Sequence, residues 1–407
     1  MKQVFPERRA TTSGEIRERL LARSSTTTLP FSEELLALGD SLSQRLFNDT
    51  RAQEFPEVQA LAFFLRLSSL KKIRDQWLAT VPQGCRSVGR GRVFHIAPAN
   101  VEVMFVYSWV LSMLCGNVNI VRVPSKSSPI MDTLCECLSA TLQARPGLRD
   151  SQIGVQYEAA LEPTQALSEI AHARVIWGGD DTVTSIRAIP SPAGLKDISF
   201  PNKFSWCALN AFAVRNLSDN ALYELVTHFY NDSYLFDQRA CSSPQIIAWV
   251  GETAVCDGAY ARFMPKLQEI LNKRGYHSDP AHTMEKLTMA SVASLWATNS
   301  RLDRHSPELM SLCAPYNAQM RAYHCGGGFF YTVTLASLTE LSDFAAANDQ
   351  TLSHFGFSYD ELTAALEAIQ GRGFDRFVPV GQALAFEPIW DGMNLLSEFT
   401  RLVRLNP

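Results

Sequence analysis

The sequence has no long apolar run and no excess of basic residues. Its longest nearly continuous apolar stretch, Val103–Cys115, is shorter than the roughly 20 residues that a membrane-spanning helix needs. The chain carries 37 Lys and Arg against 41 Asp and Glu, for a formal net charge of -4. Neither that balance nor any local tract supplies the positive surface that nucleic acids require. The sequence therefore predicts neither a membrane span nor a nucleic-acid partner.

The nine cysteines do not form the pattern of a metal site or of a disulfide framework. Their spacing is irregular and no CxxC pair occurs, which argues against the common zinc-binding arrangements. The first 20 residues mix acidic and basic side chains and lack the apolar core of a signal peptide. We therefore expect a cytoplasmic protein without a bound metal, in which most cysteines are reduced and act as small buried hydrophobes.

From Arg92 onward, short apolar strands alternate with helical patterns. The strand patterns cover Arg92–Ala97, Val118–Val123, Ile153–Tyr157 and Ala173–Trp177. Such alternation is typical of βαβ units and predicts an α/β fold with a doubly wound parallel sheet. Ligands of these sheets bind where strands end and loops enter helices. The loops Pro98–Asn100, Pro124–Ser128 and Gly178–Asp181 are therefore candidate ligand-binding segments.

Four further patterns lead to explicit structural expectations. The polar, Thr- and Ser-rich residues 1–30 predict a flexible N-terminal arm. Apolar periodicity predicts one long helix over Glu57–Leu78 and a closing helix over Leu395–Leu405. Residues Ala211–Val214 are expected to end a strand.

Cys241 and Asn100 are candidates for a nucleophile and an oxyanion donor. Cys241 lies in the polar turn FDQRACSSPQ (Phe236–Gln245, the cysteine loop), where Arg239 or backbone N–H groups would favour a thiolate. Asn100 stands where a strand enters a helix, so its amide could donate to a developing oxyanion. The ordinary alternatives are a small turn residue for Cys241 and a helix cap for Asn100.

Five residues in the candidate loops suit a nucleotide. Arg122, Ser125 and Lys126 surround the end of a predicted strand and suit a ribose or its phosphate, although a solvated charged loop explains them equally well. Gly178 and Gly179 would allow a cofactor to approach the backbone closely, and a tight turn is the alternative. Neither GxGxxG nor the P-loop pattern occurs.

Four separated blocks of the sequence resemble blocks of one family and occur in the same order as in that family. They are HIAPANVEVMFVYSWVLSMLCGNVNIVRVPSKSSP (His95–Pro129), VIWGGDD (Val175–Asp181), the cysteine loop, and RFVPVGQALAFEPIWDG (Arg376–Gly392). The first block resembles the aldehyde dehydrogenase superfamily. The other three are more similar to its acyl-CoA reductases, the family of the bacterial luminescence fatty-acid reductase.

The resemblance implies an aldehyde dehydrogenase-like fold and assigns roles to the candidate residues. It implies a nucleotide-binding domain over 31–210, a catalytic domain over 211–375, and a segment 376–407 that returns to the first domain. It implies that Cys241 is the nucleophile, that Asn100 holds the oxyanion, and that Ser125 and Gly178 lie at the cofactor. A gapless alignment with some hydrolytic relatives would place Ser242 at the position of Cys241.

The family also implies a reaction class. Hydrolytic aldehyde dehydrogenases have a water-activating glutamate where this chain has Ser199–Lys203, which contains no carboxylate. A missing base suits an enzyme whose acyl intermediate must not be hydrolysed. The resemblance therefore implies NADPH-dependent reduction of acyl-CoA, or of an acyl group on a partner protein such as an acyl-protein synthetase, to the aldehyde by a homo-oligomer. The alternatives are a hydrolytic aldehyde dehydrogenase and a non-catalytic scaffold for an acyl-activating partner.

Overall fold

Alternating strands and helices build two seven-stranded sheets. The computed structural model describes residues 1–22, 28–98, 101–126 and 128–405. One compact unit consists of Met1–Asn202 with Phe386–Pro407, and the second consists of Lys203–Ala385. The units thus change at 202/203 and 385/386, where the resemblance implied changes at 210/211 and 375/376.

Residues 1–202 contain eight strands and nine α-helices within the described ranges. They are β1 (Lys2–Phe5), β2 (Arg9–Ala10), α1 (Ser13–Ala22), α2 (Glu33–Asn48), α3 (Pro56–Phe64), α4 (Leu67–Leu78), β3 (Cys85–Gly89), β4 (Arg92–Ile96), α5 (Met104–Leu114), β5 (Val118–Val123), α6 (Pro129–Gln143), α7 (Pro146–Arg149), β6 (Gln152–Gln156), α8 (Leu161–Ser168), β7 (Ala173–Trp177), α9 (Asp180–Arg187) and β8 (Lys196–Phe200). Seven of the strands form a sheet in the order β2-β1-β6-β5-β4-β7-β8.

The second unit has a mostly parallel sheet of its own. Its elements are β9 (Phe204–Asn210), α10 (Ala211–Arg215), α11 (Asp219–Tyr234), β10 (Pro244–Val250), α12 (Thr253–Arg274), α13 (Pro280–Ala293), β11 (Arg301–Ser306), β12 (Leu309–Cys313), β13 (Phe329–Leu335), α14 (Leu341–Phe344), β14 (Asp349–Phe355), α15 (Tyr359–Ile369) and β15 (Arg376–Pro379). The strand order is β11-β12-β13-β10-β9-β14-β15, and β11 alone among these is antiparallel to its neighbour.

Residues 386–405 complete the first unit. They form β16 (Ile389–Trp390), β17 (Met393–Asn394), α16 (Leu395–Glu398) and β18 (Thr400–Arg404). Strand β18 pairs with β3 in antiparallel register, with Thr400 opposite Gly89 and Arg404 opposite Cys85.

The second sheet is apolar on both faces. Successive side chains of a strand point to opposite sides of a sheet, and here successive residues are apolar. In β9, Trp206 and Ala208 belong to one core cluster, whereas Cys207 and Leu209 belong to the other. The helices cover these faces, which leaves the ends of the strands as the places where polar side chains collect.

The doubly wound sheet is confirmed, and three local expectations are wrong. Residues 2–22 are not an arm: β1 pairs with β6 and β2, and α1 follows. The predicted helix over Leu395–Leu405 ends at Glu398, because residues 400–404 pair with β3. Residues 211–214 begin helix α10 instead of ending a strand.

The predicted helix over Glu57–Leu78 is divided into α3 and α4. Pro56 is the first residue of α3, where its fixed φ suits a helix start, and the chain leaves the helix at Leu65 and Arg66. The apolar periodicity continues across this break and therefore did not reveal it.

Candidate active site

The cysteine loop joins α11 to the start of β10 and is held by the side chain of Gln238. Gln238 is buried and has a φ of 61°, which is uncommon for a residue other than glycine. Its carboxamide donates to Pro244 O at 2.8 Å and Phe329 O at 3.1 Å, and accepts from Gly328 N at 2.9 Å. These bonds fix the loop against the start of β13.

Cys241 combines partial exposure with hydrogen bonds at both its sulfur and its carbonyl. Gln350 Nε2 donates to Cys241 Sγ at 3.1 Å, and Ser205 Oγ donates to Cys241 O at 2.7 Å. The residue is partly exposed. Ser242 and Ser243 are only 2% and 1% exposed. A register that made Ser242 the nucleophile would therefore bury the attacking atom, and the geometry favours Cys241.

Arg239 was expected to favour the thiolate of Cys241. Its guanidinium donates from Nη2 to Nε2 of the His282 ring, since an arginine carries no acceptor. A hydrogen bond to the sulfur comes from the neutral carboxamide of Gln350.

A glycine loop, Gly326–Gly328, packs against the cysteine loop. All three glycines have positive φ, and a Cβ at Gly328 would lie 2.0 Å from Glu308 O, so that position requires glycine. Lys286 Nζ holds the glycine loop by donating to Gly327 O at 2.6 Å and to Ser278 Oγ at 3.0 Å. Burial lowers the pKa of the Lys286 ammonium because the charged form loses water.

Asp232 of α11 ties two further segments to the cysteine loop. Its carboxylate is buried and accepts hydrogen bonds from Gly381 N at 2.6 Å and Ala383 N at 3.0 Å. Its backbone carbonyl accepts a hydrogen bond from Ser243 Oγ at 2.8 Å. Burial raises the pKa of the Asp232 carboxyl to about 7, against the smaller opposing effect of the two N–H donors.

A buried ion pair lies directly before Gln350 in β14. Asp349 accepts from both terminal nitrogens of Arg321 and also from Trp206 Nε1 at 3.2 Å. The Asp349 side chain is fully buried and that of Arg321 is 12% exposed. Removing one member of such a pair leaves an uncompensated charge and typically costs about 3–5 kcal/mol.

Sequence reasoning did not find Gln350, Asp232 or Lys286. Asp232 follows Phe229 at a spacing of three, so it lies on the apolar face of α11. A carboxylate on an apolar helix face was a usable signal of a buried polar residue. Gln350 and Lys286 carry no local signal of a role at the site, because Cys241 Sγ and Gly327 O, to which they donate, lie 109 and 41 residues away.

In the first unit, the predicted cofactor residues lie at the carboxyl ends of parallel strands. The chain runs from β4 to β5 and β6 on one side and then returns to β7 and β8 on the other, so the winding reverses between β4 and β7. Ligands of doubly wound sheets bind at such a reversal. Asn100, in the loop after β4, lies outside the described residues.

Arg122, Ser125 and Lys126 form a polar group at the end of β5. The Arg122 guanidinium lies over the Tyr157 ring at 4.8 Å, and its buried Nε has no hydrogen-bond partner among the described residues. Ser125 and Lys126 are exposed, and Gln156 Nε2 holds their loop by donating to Ser125 O at 3.2 Å. An unpaired guanidinium N–H, a cation and a hydroxyl together fit a nucleotide ribose and its phosphate.

Gly178 and Gly179 follow β7 and precede α9. A Cβ at Gly178 would lie 2.8 Å from the side chain of Thr182, so local packing alone accounts for that glycine. The first turn of α9 carries Asp180 and Asp181, whose charges oppose a phosphate at this helix start. The glycine pair therefore suits an uncharged part of a cofactor better than its phosphates.

Residues 199–203 end the first sheet without supplying a base. Asn202 N donates to Asp180 Oδ1 at 3.0 Å, and Lys203 pairs with Asp375 at 2.8 Å. Within the described ranges, no group of three or more His, Cys, Asp or Glu side chains could hold a metal ion. The helices in those ranges include none that is long and apolar enough to cross a membrane.

Comparison with solved structures supports the fold. The chain is similar to aldehyde dehydrogenase 21 from Physcomitrella patens, with a TM-score of 0.69, 11% identity, and coverage of 97% of this chain and 90% of that one. A lactaldehyde dehydrogenase structure gives a TM-score of 0.65 at 13% identity, with coverage of 98% and 92%. The fold is thus aldehyde dehydrogenase-like.

Sequence comparison identifies the family. Two long-chain acyl-protein thioester reductases are similar: that of Vibrio harveyi is 29% identical over 205 residues, and that of Photorhabdus laumondii is 27% identical over 206. These alignments cover 49% and 50% of this chain but 39% of each relative. The model of the family described as acyl-CoA reductase (LuxC) matches residues 53–296. Because this match spans more than half of the 407 residues, the chain belongs to the acyl-CoA reductase (LuxC) family.

Proposed function

We propose that this protein reduces an acyl thioester to the aldehyde with NADPH, through a covalent thioester on Cys241. The observation that carries the proposal is the partly exposed residue Cys241, whose sulfur accepts a hydrogen bond from an N–H group, within a chain of this family. A cysteine at such a site acts as a nucleophile that divides one difficult step into two easier ones.

The chemistry at Cys241 has two halves. The thiolate attacks the carbonyl carbon of the substrate thioester and a new carbon–sulfur bond forms. The original carbon–sulfur bond then breaks, and the leaving thiolate takes a proton from water. The acyl group, now on Cys241 Sγ, is reduced at its carbonyl carbon to a thiohemiacetal. Breaking the carbon–sulfur bond then releases the aldehyde and restores the thiolate.

Asn100 and the Cys241 backbone N–H are the proposed oxyanion donors. Negative charge develops on the carbonyl oxygen in both halves of the reaction, and fixed N–H groups stabilise it better than mobile water does. The loss of one donor typically removes about 3–4 kcal/mol of transition-state stabilisation.

A nicotinamide cofactor, which we propose to be NADPH, supplies the hydride when bound. Arg122, Ser125 and Lys126 would hold its ribose and phosphate groups, and Gly178 and Gly179 would border it. The two cations favour the additional 2′-phosphate of NADPH over the hydroxyl of NADH.

The stretch Ser199–Lys203 supports reduction over hydrolysis. It contains no carboxylate that could activate water, so an acyl group on Cys241 persists until it is reduced. A hydrolytic aldehyde dehydrogenase would need that base.

The proposed acyl donor is acyl-CoA or an acylated partner protein, with a fatty chain. The two relatives are named for long-chain acyl-protein substrates, which supports a protein-bound donor such as an acyl-protein synthetase. We also propose that the protein assembles as a homo-oligomer. Light scattering measures the mass of the assembly.

Covalent labelling tests the nucleophile. Purified protein is incubated with radiolabelled long-chain acyl-CoA without NADPH and then denatured, and label is counted on the protein. We expect label on the wild type and on Cys85→Ala, a control at another partly exposed cysteine, but none on Cys241→Ala. Equal labelling of Cys241→Ala would overturn the assignment.

Product analysis tests the reaction. After NADPH is added to the labelled protein, we expect the label to leave as aldehyde, which a hydrazine reagent traps. Release of carboxylate instead of aldehyde would identify a hydrolytic enzyme and reject the proposal.

A further inference from the structure

We infer that Gln350 is a catalytic residue, whose carboxamide donates a hydrogen bond to the sulfur of Cys241 while that sulfur carries negative charge. The inference rests on the proposed function, because it assigns a role at the proposed nucleophile. Gln350 lies outside residues 53–296, the range that the family model matches.

The amide of Gln350 is oriented by its neighbour in β14. Its Nε2 lies 3.1 Å from Cys241 Sγ, and its Oε1 accepts a hydrogen bond from Thr351 Oγ1 at 3.2 Å. Both side chains are fully buried. Because the Thr351 hydroxyl can donate to the amide oxygen, the amide nitrogen, which carries the donors, faces the sulfur.

A β-bulge turns Gln350 toward Cys241. Strands β14 and β9 are parallel, with Asp349 opposite Phe204 and Leu352 opposite Trp206. Two residues of β14 therefore stand against the single residue Ser205 of β9. Such bulges redirect side chains and occur often beside active sites.

The same bulge also fixes the backbone of the nucleophile. Thr351 N donates to Ser205 Oγ at 3.1 Å, and Ser205 Oγ donates to Cys241 O at 2.7 Å. Gln350 and Thr351 therefore hold the side chain and the main chain of Cys241 from one strand. The buried pair of Asp349 with Arg321 anchors this strand at the preceding residue.

A neutral amide donor suits both halves of the proposed reaction. An N–H directed at sulfur stabilises the thiolate before attack and again when the thiohemiacetal expels it. An amide cannot accept a proton from water near neutral pH, so it assists the thiolate without providing a base for hydrolysis.

Iodoacetamide alkylation of Cys241 at about pH 7 tests the inference in full-length protein. A hydrogen bond to a charged group contributes enough for Gln350→Ala to slow alkylation about tenfold. Gln350→Glu should slow it further, because a carboxylate repels the thiolate. Gln319→Ala, which removes an exposed glutamine of the same unit, should react like the wild type.

A second pair of variants keeps the test decisive if Gln350→Ala fails to fold. Thr351→Val removes the hydroxyl that orients the amide with little change of volume, whereas Thr351→Ser keeps it. We expect slowed alkylation and a lowered kcat, with an unchanged KM for acyl-CoA, in the Val variant alone. Alkylation of the folded Gln350→Ala and Thr351→Val variants at the wild-type rate would overturn the inference.

The two proposals fail in different ways. If the wild-type protein forms no acyl adduct on Cys241, the proposed function fails. If it forms the adduct but alkylation is insensitive to Gln350, the role of Gln350 alone is rejected.

Discussion

At the level of single residues, Cys241 differs from its neighbours in the cysteine loop by what surrounds it. Ser242 and Ser243 have hydroxyl groups in the same turn, but both are almost completely buried. Cys241 is partly exposed and its sulfur receives an N–H. The reactivity that we propose for Cys241 therefore rests on the loop and on β14 as much as on the residue type.

Asn100→Ala should abolish most turnover without weakening cofactor binding. The variant loses one proposed oxyanion donor, so kcat should fall about 100- to 1000-fold. Steady-state kinetics measures kcat, and fluorescence titration measures NADPH affinity. Unchanged turnover would remove Asn100 from the oxyanion role.

Lys126→Ala should weaken NADPH binding selectively. If Lys126 contacts the 2′-phosphate, loss of a charge-assisted hydrogen bond should raise the KM for NADPH about tenfold and leave the KM for NADH almost unchanged. Lys72→Ala, at an exposed lysine of α4, is the control. Equal changes for both cofactors would contradict a phosphate contact.

At the level of elements, the amino ends of four neighbouring strands create the candidate site. The glycine loop precedes β13, the cysteine loop precedes β10, and Ser205 and Gln350 lie near the starts of β9 and β14. The sequence predicted the polar turn of the cysteine loop, because that turn has a local pattern. It did not predict the bulge in β14, since a bulge depends on pairing between residues about 145 positions apart.

Gly328→Ala should destabilise the protein more than Gly371→Ala. Both glycines have positive φ, but only a Cβ at Gly328 meets another atom closely, Glu308 O at 2.0 Å. Backbone strain alone typically costs about 1 kcal/mol, and the clash should bring the total for Gly328 above about 3 kcal/mol. Urea unfolding followed by circular dichroism measures both, and equal losses would show that the glycine loop yields to a methyl group.

Asp232→Asn should remove a pH dependence of stability. The pKa of Asp232 is about 7 in the folded protein against an ordinary 3.8, so the folded state binds this proton more readily. The stabilising contribution of the protonated Asp232 carboxyl to the free energy of unfolding is therefore fully present below about pH 4. It decreases, by up to about 4 kcal/mol, as the pH rises to about 7.

Urea unfolding at several pH values measures this effect. The stability advantage of the wild type over Asp232→Asn should shrink between about pH 4 and pH 7. Asp360→Asn, at an exposed carboxylate in the first turn of α15, is the control. A constant difference across this range would show that Asp232 does not titrate there.

At the level of the whole molecule, the first unit is assembled from two separated stretches of chain. Phe399 is fully buried, its ring centroid lies 5.8 Å from that of His95, and its carbonyl accepts from Asn117 Nδ2 at 2.9 Å. The resemblance implied that a C-terminal segment returns to this unit. Local periodicity gave the wrong secondary structure for residues 400–404, because their strand exists only through pairing with β3.

Phe399→Ala should loosen the first unit selectively. Truncating a buried phenylalanine typically costs about 3–5 kcal/mol. Hydrogen exchange should therefore accelerate in 1–202 and stay unchanged in 203–385. Phe212→Ala, at a side chain that is 70% exposed, should leave exchange in both units unchanged. Faster exchange in both units of Phe399→Ala would contradict the expectation that only the first unit is loosened.

The division of the first unit also has a consequence for biosynthesis. Strand β3 and the buried amide of Asn117 are translated early, but their partners, Thr400–Arg404 and Phe399, emerge from the ribosome about 280 to 320 residues later. The unit formed by the intervening residues is continuous in the chain and can finish folding first. The half of the molecule that is begun first is therefore the half completed last.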